Sequence, residues 1–186
     1  MPTSHWRQLN EIVDVIVTTN PHLLLDIGVG FGKYGVLARE YLELWDGRNK
    51  YNDWQRQIDG IEIFNSYKNP LYSYVYNTIY YGNAIDVLPN ISIKYDLILA
   101  IDVLEHFNKN DGLKFIDLCL EHGHNVLIST PSHVSKQGTA FNNPHEEHKS
   151  SWTVDDFIYP NKFTIPNDRS LLCYLGKDAS KIHSNS

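Results

Sequence analysis

The sequence predicts a three-layer α/β domain built on a mostly parallel sheet, and three observations carry that reading. Short apolar runs at 23–27, 58–63, 79–81, 95–101 and 125–129 alternate with helical or loop segments, the pattern of strands joined by crossover connections. The first run enters a bend, Asp26-Ile-Gly28-Val-Gly30-Phe-Gly32-Lys-Tyr-Gly35, whose glycines allow positive φ and close approach of a ligand to the main chain. The chain of 186 residues suits one domain with a three-layer core and is too short for a separate substrate domain, so specificity must reside in loops.

Taken in order, Trp6, Leu9, Ile12, Val13, Ile16 and Val17 recur at helical spacing after Thr3 and Ser4, either of which can cap, and Asn20-Pro21 stops the run. This predicts an amphipathic packing helix. After the five strand candidates, runs at 162–165 and 171–175 joined by Pro166-Asn-Asp-Arg predict an antiparallel hairpin on the sheet's edge. The segment 46–57, with Gly47, Asn49 and Asn52, reads as a surface loop, and 178–186 as a loose polar tail after a single domain at 1–177. Six tyrosines between 67 and 81 either cover the sheet or form a sugar-stacking wall.

Composition narrows the function. A net charge of −6 provides no basic field for a phosphate backbone, which argues against long nucleic acid as a partner. Cys119 and Cys173 sit in apolar segments and read as reduced core residues. The N-terminus lacks a charged region followed by an apolar run, and no stretch has the length to span a bilayer, so the expectation is a soluble cytoplasmic protein with no membrane partner.

In a doubly wound sheet, ligands sit outside the carboxyl ends of the strands. Asp26 ends the first strand, Glu62 falls at the end of the second, Asn83-Ala84 follows the third and Asp102 closes the fourth. Glu62 can accept both hydroxyls of a ribose, and Asn83 with Ala84 can bracket a flat base. The run Gly30-Phe-Gly32-Lys-Tyr-Gly35 also fits the dinucleotide pattern G-x-G-x-x-G. Asp26 weighs against that alternative, because a carboxylate there repels a pyrophosphate and favours a ligand bearing an amino group.

From about residue 23 to 177 the chain resembles the class I S-adenosylmethionine-dependent methyltransferases. The resemblance rests on Asp26-Ile-Gly-Val-Gly-Phe-Gly32, Ile-Glu62-Ile, Gly82-Asn-Ala84 and the run from Tyr95 to His106. It implies a Rossmann-like seven-stranded sheet with an antiparallel edge hairpin and S-adenosylmethionine as cofactor. It also implies that Asp26, Gly28, Gly30 and Gly32 hold the amino-acid part, Glu62 the ribose and Asn83-Ala84 the adenine. Many members carry Asp where this chain has Asn83; an amide carbonyl still accepts from the adenine amino group.

Methyl transfer to a hydroxyl depends on positioning and on removal of a proton, and a divalent cation lowers an oxygen pKa by several units. Asp102-Val-Leu-Glu105-His106 places two carboxylates and an imidazole at i, i+3 and i+4, which on a helix share one face; a plain helix entry explains the same residues. Further on, Asn142-Asn-Pro-His145-Glu-Glu-His148 follows the fifth strand in a loop expected to overhang the crevice, and it is one residue short of H-E-x-x-H. Carboxylates with imidazoles suit Mn²⁺, Fe²⁺, Co²⁺ or Zn²⁺, with Mg²⁺ less favoured. The alternative is that Glu147 and His148 tie a lid to the sheet.

The acidic residue, two intervening positions, Glu-His and a distant His are similar to metal-dependent O-methyltransferases acting on small-RNA terminal riboses or ubiquinone-pathway catechols. That resemblance implies Asp102, Glu105, His106 and His148 as ligands and either histidine as a catalytic base; Asp102, where Glu is common, shortens the reach. The segment 137–152 also resembles that of bacterial methyltransferases associated with surface polysaccharides. The expectation is therefore O-methylation of a hydroxyl on a small molecule or sugar with a divalent metal. The alternatives are a metal-independent O- or N-methyltransferase with a histidine base, and a non-catalytic cofactor-binding module. So short a chain leaves little cap over the crevice, so the acceptor is exposed or a second copy of the chain covers it.

Overall fold

The computed structural model describes residues 3–45, 50–133 and 137–183. Seven strands form one sheet in the order β3-β2-β1-β4-β5-β7-β6. In chain order they are β1 (Leu23–Ile27), β2 (Gln57–Glu62), β3 (Thr78–Tyr81), β4 (Leu97–Ile101), β5 (Asn125–Pro131), β6 (Lys162–Ile165) and β7 (Ser170–Gly176). The first five run parallel, and β7 runs antiparallel to both β5 and β6. The mostly parallel sheet with a hairpin at its edge thus matches the expectation, each strand lying within two residues of its apolar run. Parallel strands are covered on both faces, which is why these runs are continuously apolar rather than alternating.

The pleat sends neighbouring residues to opposite faces. Leu24, Leu97 and Leu99 pack with Ile12 and Ile16 of α1 (Leu9–Thr19), Ala38 of α2 (Lys33–Arg39) and Val75 of α3 (Pro70–Val75). Leu25, Ile98 and Ala100 pack instead with Ile85 of α4 (Ala84–Val87) and Phe115, Ile116 and Cys119 of α5 (Lys109–His122). Both cysteines are buried and free. Among the described residues no helix is long and apolar enough to cross a membrane.

Three local expectations need correction. The first helix starts later than its apolar pattern: Trp6–Gln8 is a 3₁₀ turn and Trp6 is 70% exposed. Neither Thr3 nor Ser4 caps it; the His5 side chain accepts from Arg7 N–H, and Ser4 is engaged by Lys33 and Tyr34. The start of the polar tail is instead α6 (Ala179–His183), with Ala179 and Ile182 buried in the α1–α2 layer. Two apolar residues three apart were enough to seat one helical turn. Residues 184–186, and 46–49 of the expected surface loop, lie outside the described residues.

The order of strands reverses between β1 and β4, so the crevice belongs at their carboxyl ends. From the sheet's edge inward these ends carry Asn83 after β3, Glu62 on β2, the glycine bend after β1 and Asp102 after β4.

Candidate active site

The glycine bend takes the conformation its composition allows. Gly28, Gly30 and Gly32 have φ of 78°, 54° and 98°, where other residues are strained. Gly35 serves a different purpose: a Cβ there would lie 2.4 Å from the Tyr76 ring, so this glycine lets α2 pack down on the tyrosine. Two tyrosines prop the bend from beneath, Tyr72 donating to Gly30 O at 2.6 Å and Tyr76 to Asp26 Oδ2 at 2.6 Å. Part of the tyrosine cluster is therefore scaffolding.

One cavity is lined by Gly28, Gly30, Glu62, Asn83, Ala84, Asp102 and His106, together with Lys33, Tyr67, Asn143, His145, Glu146 and Lys149. Glu62 is 4% exposed and accepts from Gly30 N–H and Phe64 N–H at 2.8 Å each. Burial raises its pKa against these bonds, yet each oxygen retains a second lone pair for a ligand hydroxyl. Asn83 caps α4, its Oδ1 accepting from Ile85 N–H at 3.1 Å. An adenine amino group would share that oxygen with the helix.

Asp26 is placed otherwise than the sequence suggests. It is 1% exposed and lies under the bend, outside the cavity lining, with Oδ1 lacking a hydrogen-bond partner. Burial pushes its pKa up to about 7, the Tyr76 hydroxyl opposing and Glu62 adding to the rise. Between its ordinary value of 3.8 and about 7, the folded protein keeps a proton that the unfolded chain has released. Stability from this group is therefore highest at low pH and falls as pH rises through that window. Urea unfolding should show the protein less stable at pH 8 than at pH 5, with Asp26→Asn recovering on the order of 2 kcal/mol at pH 8. A variant less stable than wild type at pH 8 refutes this.

Asp102, Glu105 and His106 do not share a helical face. Asp102 has φ 53° and 104–106 is a 3₁₀ turn, so the α-helical spacing argument fails there. The Asp102 carboxylate is taken up by Gln8 Nε2 at 2.8 Å and Ser129 Oγ at 2.7 Å. The metal-ligand set expected from the sequence is thereby reduced by one: the structure gathers Glu105, His106 and His148, one donor atom of each within 4.8 Å of the others, without Asp102.

That trio fits a divalent cation. Glu105 is 3% exposed and its Oε2 has no hydrogen-bond partner, a buried carboxyl oxygen left unsatisfied in the metal-free fold. Burial, with the Asp102 charge adding, pushes its pKa up to about 8, while burial pulls His106 below its ordinary value. The His106 Nδ1 lies 3.1 Å from Glu147 O, which orients the ring and leaves Nε2 for a ligand. His148 comes from the loop after β5, which is stitched down by Lys149 N–H and Ser150 N–H to Glu105 O at 2.8 and 3.1 Å. The loop overhangs the crevice as expected.

Sequence reasoning gave Glu146 no role, placed Lys33 near the cofactor without assigning it chemistry, and took Tyr67 only as one of the tyrosine cluster. Glu146 is 6% exposed and accepts from Tyr67 Oη at 2.7 Å, tying the loop to the segment after β2. A glutamate flanked by the exposed His145 and Glu147 in a polar loop carries no periodic signal. Lys33 follows Gly32, and the structure places it in the cavity lining, where its position suggested.

No family model matches the chain, and no curated protein matches it. Solved structures do. PigF with S-adenosylhomocysteine is 15% identical with TM-score 0.60 over 86% of this chain and 51% of that one. The methyltransferase domain of bacterial CtHen1-C is 18% identical with TM-score 0.57, covering 92% and 98%. Magnesium protoporphyrin IX methyltransferase from Synechocystis PCC 6803, with bound S-adenosylhomocysteine, is 12% identical with TM-score 0.59, covering 91% and 82%. The fold is that of S-adenosylmethionine-dependent methyltransferases. The chain spans about half the length of PigF and nearly all of the CtHen1-C domain.

Proposed function

We propose that the protein is an S-adenosylmethionine-dependent O-methyltransferase acting on a hydroxyl of a small molecule or sugar with the help of a divalent cation. The observation that carries the reading is one cavity that joins the glycine bend and Glu62 to His106, with Glu105 and His148 grouped around that histidine. Methyltransferase neighbours bound to S-adenosylhomocysteine support the choice of cofactor, and a buried carboxylate oxygen without a partner supports the cation.

S-adenosylmethionine supplies an electrophilic methyl group on sulfur. Glu62 holds the ribose diol, Ala84 and Asn83 receive the base, and the tyrosine-propped bend keeps its backbone N–H groups where a nucleoside can approach. A divalent cation would supply the charge that lets an acceptor hydroxyl ionise near neutral pH. Glu105, His106 and His148 would hold it, their one-carboxylate, two-imidazole set suiting Mn²⁺, Fe²⁺, Co²⁺ or Zn²⁺. The acceptor's proton leaves toward an imidazole or water in the same crevice. Tyr67 and Glu146 keep the loop closed over the reacting end, limiting water there.

Calorimetry tests the reading directly. S-adenosylhomocysteine should bind without added metal, and Mn²⁺ should bind separately, with one ion per chain. Methyl transfer to a panel of vicinal diols should then stop on chelation and return with Mn²⁺. Turnover that is indifferent to chelator would favour the metal-independent reading, and nucleoside binding with no product from any acceptor would favour a non-catalytic module.

A further inference from the structure

Two parts of the site are joined by one hydrogen-bonded path. On the cofactor side, Phe64 N–H donates to the Glu62 carboxylate at 2.8 Å and Tyr67 N–H donates to Phe64 O at 3.0 Å, so the 3₁₀ turn Asn65–Tyr67 is built onto the carboxylate assigned to the ribose. The Tyr67 hydroxyl then crosses to the loop after β5 and donates to Glu146 Oε1 at 2.7 Å. On the histidine side, the next residue is Glu147, whose carbonyl oxygen lies 3.1 Å from His106 Nδ1. Gln137 Nε2 donates to Glu146 O at 2.8 Å, and His148 N–H donates to Gln137 O at 3.1 Å. Tyr67 and Glu146 both line the cavity. Their hydrogen bond therefore stands where a bound nucleoside meets it, within one or two residues of what fixes each imidazole.

We propose that Tyr67 and Glu146 are positioning residues that couple the two halves of the site, so that a nucleoside bound at Glu62 tightens divalent-cation binding at Glu105, His106 and His148, and the cation tightens the nucleoside in return. This rests on the cofactor and cation readings above. The physical basis is a loop with two arrangements. Its far end is anchored separately, by Lys149 N–H and Ser150 N–H on Glu105 O. With the Tyr67 contact made, the tip rests against the cofactor seat and presents His148 beside His106; with it broken, the tip swings on that anchor. A nucleoside packs against the closed tip, and a cation needs both imidazoles in place, so each ligand favours the same arrangement. Two ligands that favour one state assist each other by the same factor. Glu146 is not one of the three grouped donors, so its influence on the cation runs through the loop.

Calorimetric titration of the full chain with Mn²⁺, with and without saturating S-adenosylhomocysteine, reads the coupling as a ratio of affinities. Wild type should bind Mn²⁺ about fivefold to tenfold more tightly with S-adenosylhomocysteine present, the lower end of ordinary coupling between sites. Tyr67→Phe, which keeps the ring and its contact with Phe64, should bring the ratio to within about twofold of one, with both ligands still binding. Glu146→Gln keeps an oxygen for the tyrosine and should retain most of the ratio. Tyr67→Phe combined with Glu146→Ala should lose no more of it than Tyr67→Phe alone, because two residues acting as one contact are not additive. A merely structural contribution would weaken Mn²⁺ equally in both titrations and leave the ratio unchanged. A wild-type ratio near one, or the wild-type ratio surviving in Tyr67→Phe, overturns the coupling while both sites stand. Wild type that binds S-adenosylhomocysteine but no Mn²⁺ overturns the coupling and the cation reading together and leaves the cofactor reading standing.

Discussion

Glu105→Gln should lower turnover by at least roughly a hundredfold and leave S-adenosylhomocysteine affinity within about twofold, the loss expected when charge stabilisation is removed from a reacting centre. The residue does not line the cofactor cavity, so nucleoside binding has no reason to change. The amide preserves volume and keeps one acceptor oxygen. What disappears is the anion. Since burial raises Glu105 to about 8, the metal-free fold gains nothing from ionising it. The same substitution should therefore leave the metal-free melting temperature unchanged or raised. Mn²⁺ should stabilise wild type by the ordinary mass-action shift and should stabilise the variant far less. A large fall in metal-free stability together with turnover would mean that Glu105 is structural, and the cation reading would fail. The pH dependence follows in sign. Without metal the folded state holds a proton on Glu105 between its ordinary value of 4.5 and about 8, so stability falls as pH rises across that window. A bound cation competes with that proton and should reverse the trend.

The strands and the hairpin were legible because their signal is local and repeated. Each is an apolar run bounded by polar or turn residues, and burial on both faces makes the runs of β1, β4 and β5 continuous. The glycine bend was legible for the same reason: φ values of 54° to 98° leave few residue types available. Asp102 shows where such reasoning stops. Its spacing to Glu105 and His106 suggests a helical face, but Asp102 is itself left-handed, which breaks the helical path before them. What turns it away is Gln8, 94 positions earlier, and Ser129 on the neighbouring strand. No pattern in residues 102–106 reports those partners. Asp26 is a related case, since its identity suggests a ligand contact, while the structure sets one of its oxygens against Tyr76, 50 positions away, and leaves the residue outside the cavity lining. The two histidines are the converse case. Their rings lie 5.2 Å apart only because the loop after β5 is bonded to the backbone of Glu105, yet their residue types were enough to name them as candidates. Chemistry-bearing residues were thus identifiable by type and position on strand ends. Their pairing was not, because it is fixed by long-range hydrogen bonds.

Arg39→Met should destabilise the protein by about 3–5 kcal/mol in urea unfolding, the range for breaking a buried charged network. Arg39 is 4% exposed and Glu43 0% exposed, and the guanidinium donates to Glu43, Val75 O at 2.9 Å, Arg56 O at 2.8 Å and Asn77 Oδ1 at 2.7 Å. A simple buried ion pair can often be replaced by two apolar residues at little net cost. Here Glu43 also accepts from Gln55 N–H and Arg56 N–H at 2.7 and 3.1 Å, so the pair satisfies backbone groups on both sides. Arg39→Met combined with Glu43→Leu should therefore recover little, leaving carbonyls and amides buried without these partners. Recovery to within about 1 kcal/mol of wild type would show an ordinary ion pair. The consequence for the site runs along β2. Asn77 Oδ1 accepts from Ile58 N–H at 2.8 Å, which ties this network to the start of the strand whose far end carries Glu62. Loosening that start shifts the ribose carboxylate against the glycine bend. Arg39→Met should accordingly weaken S-adenosylhomocysteine and 5′-methylthioadenosine, which keeps the nucleoside and lacks the amino acid, by the same factor.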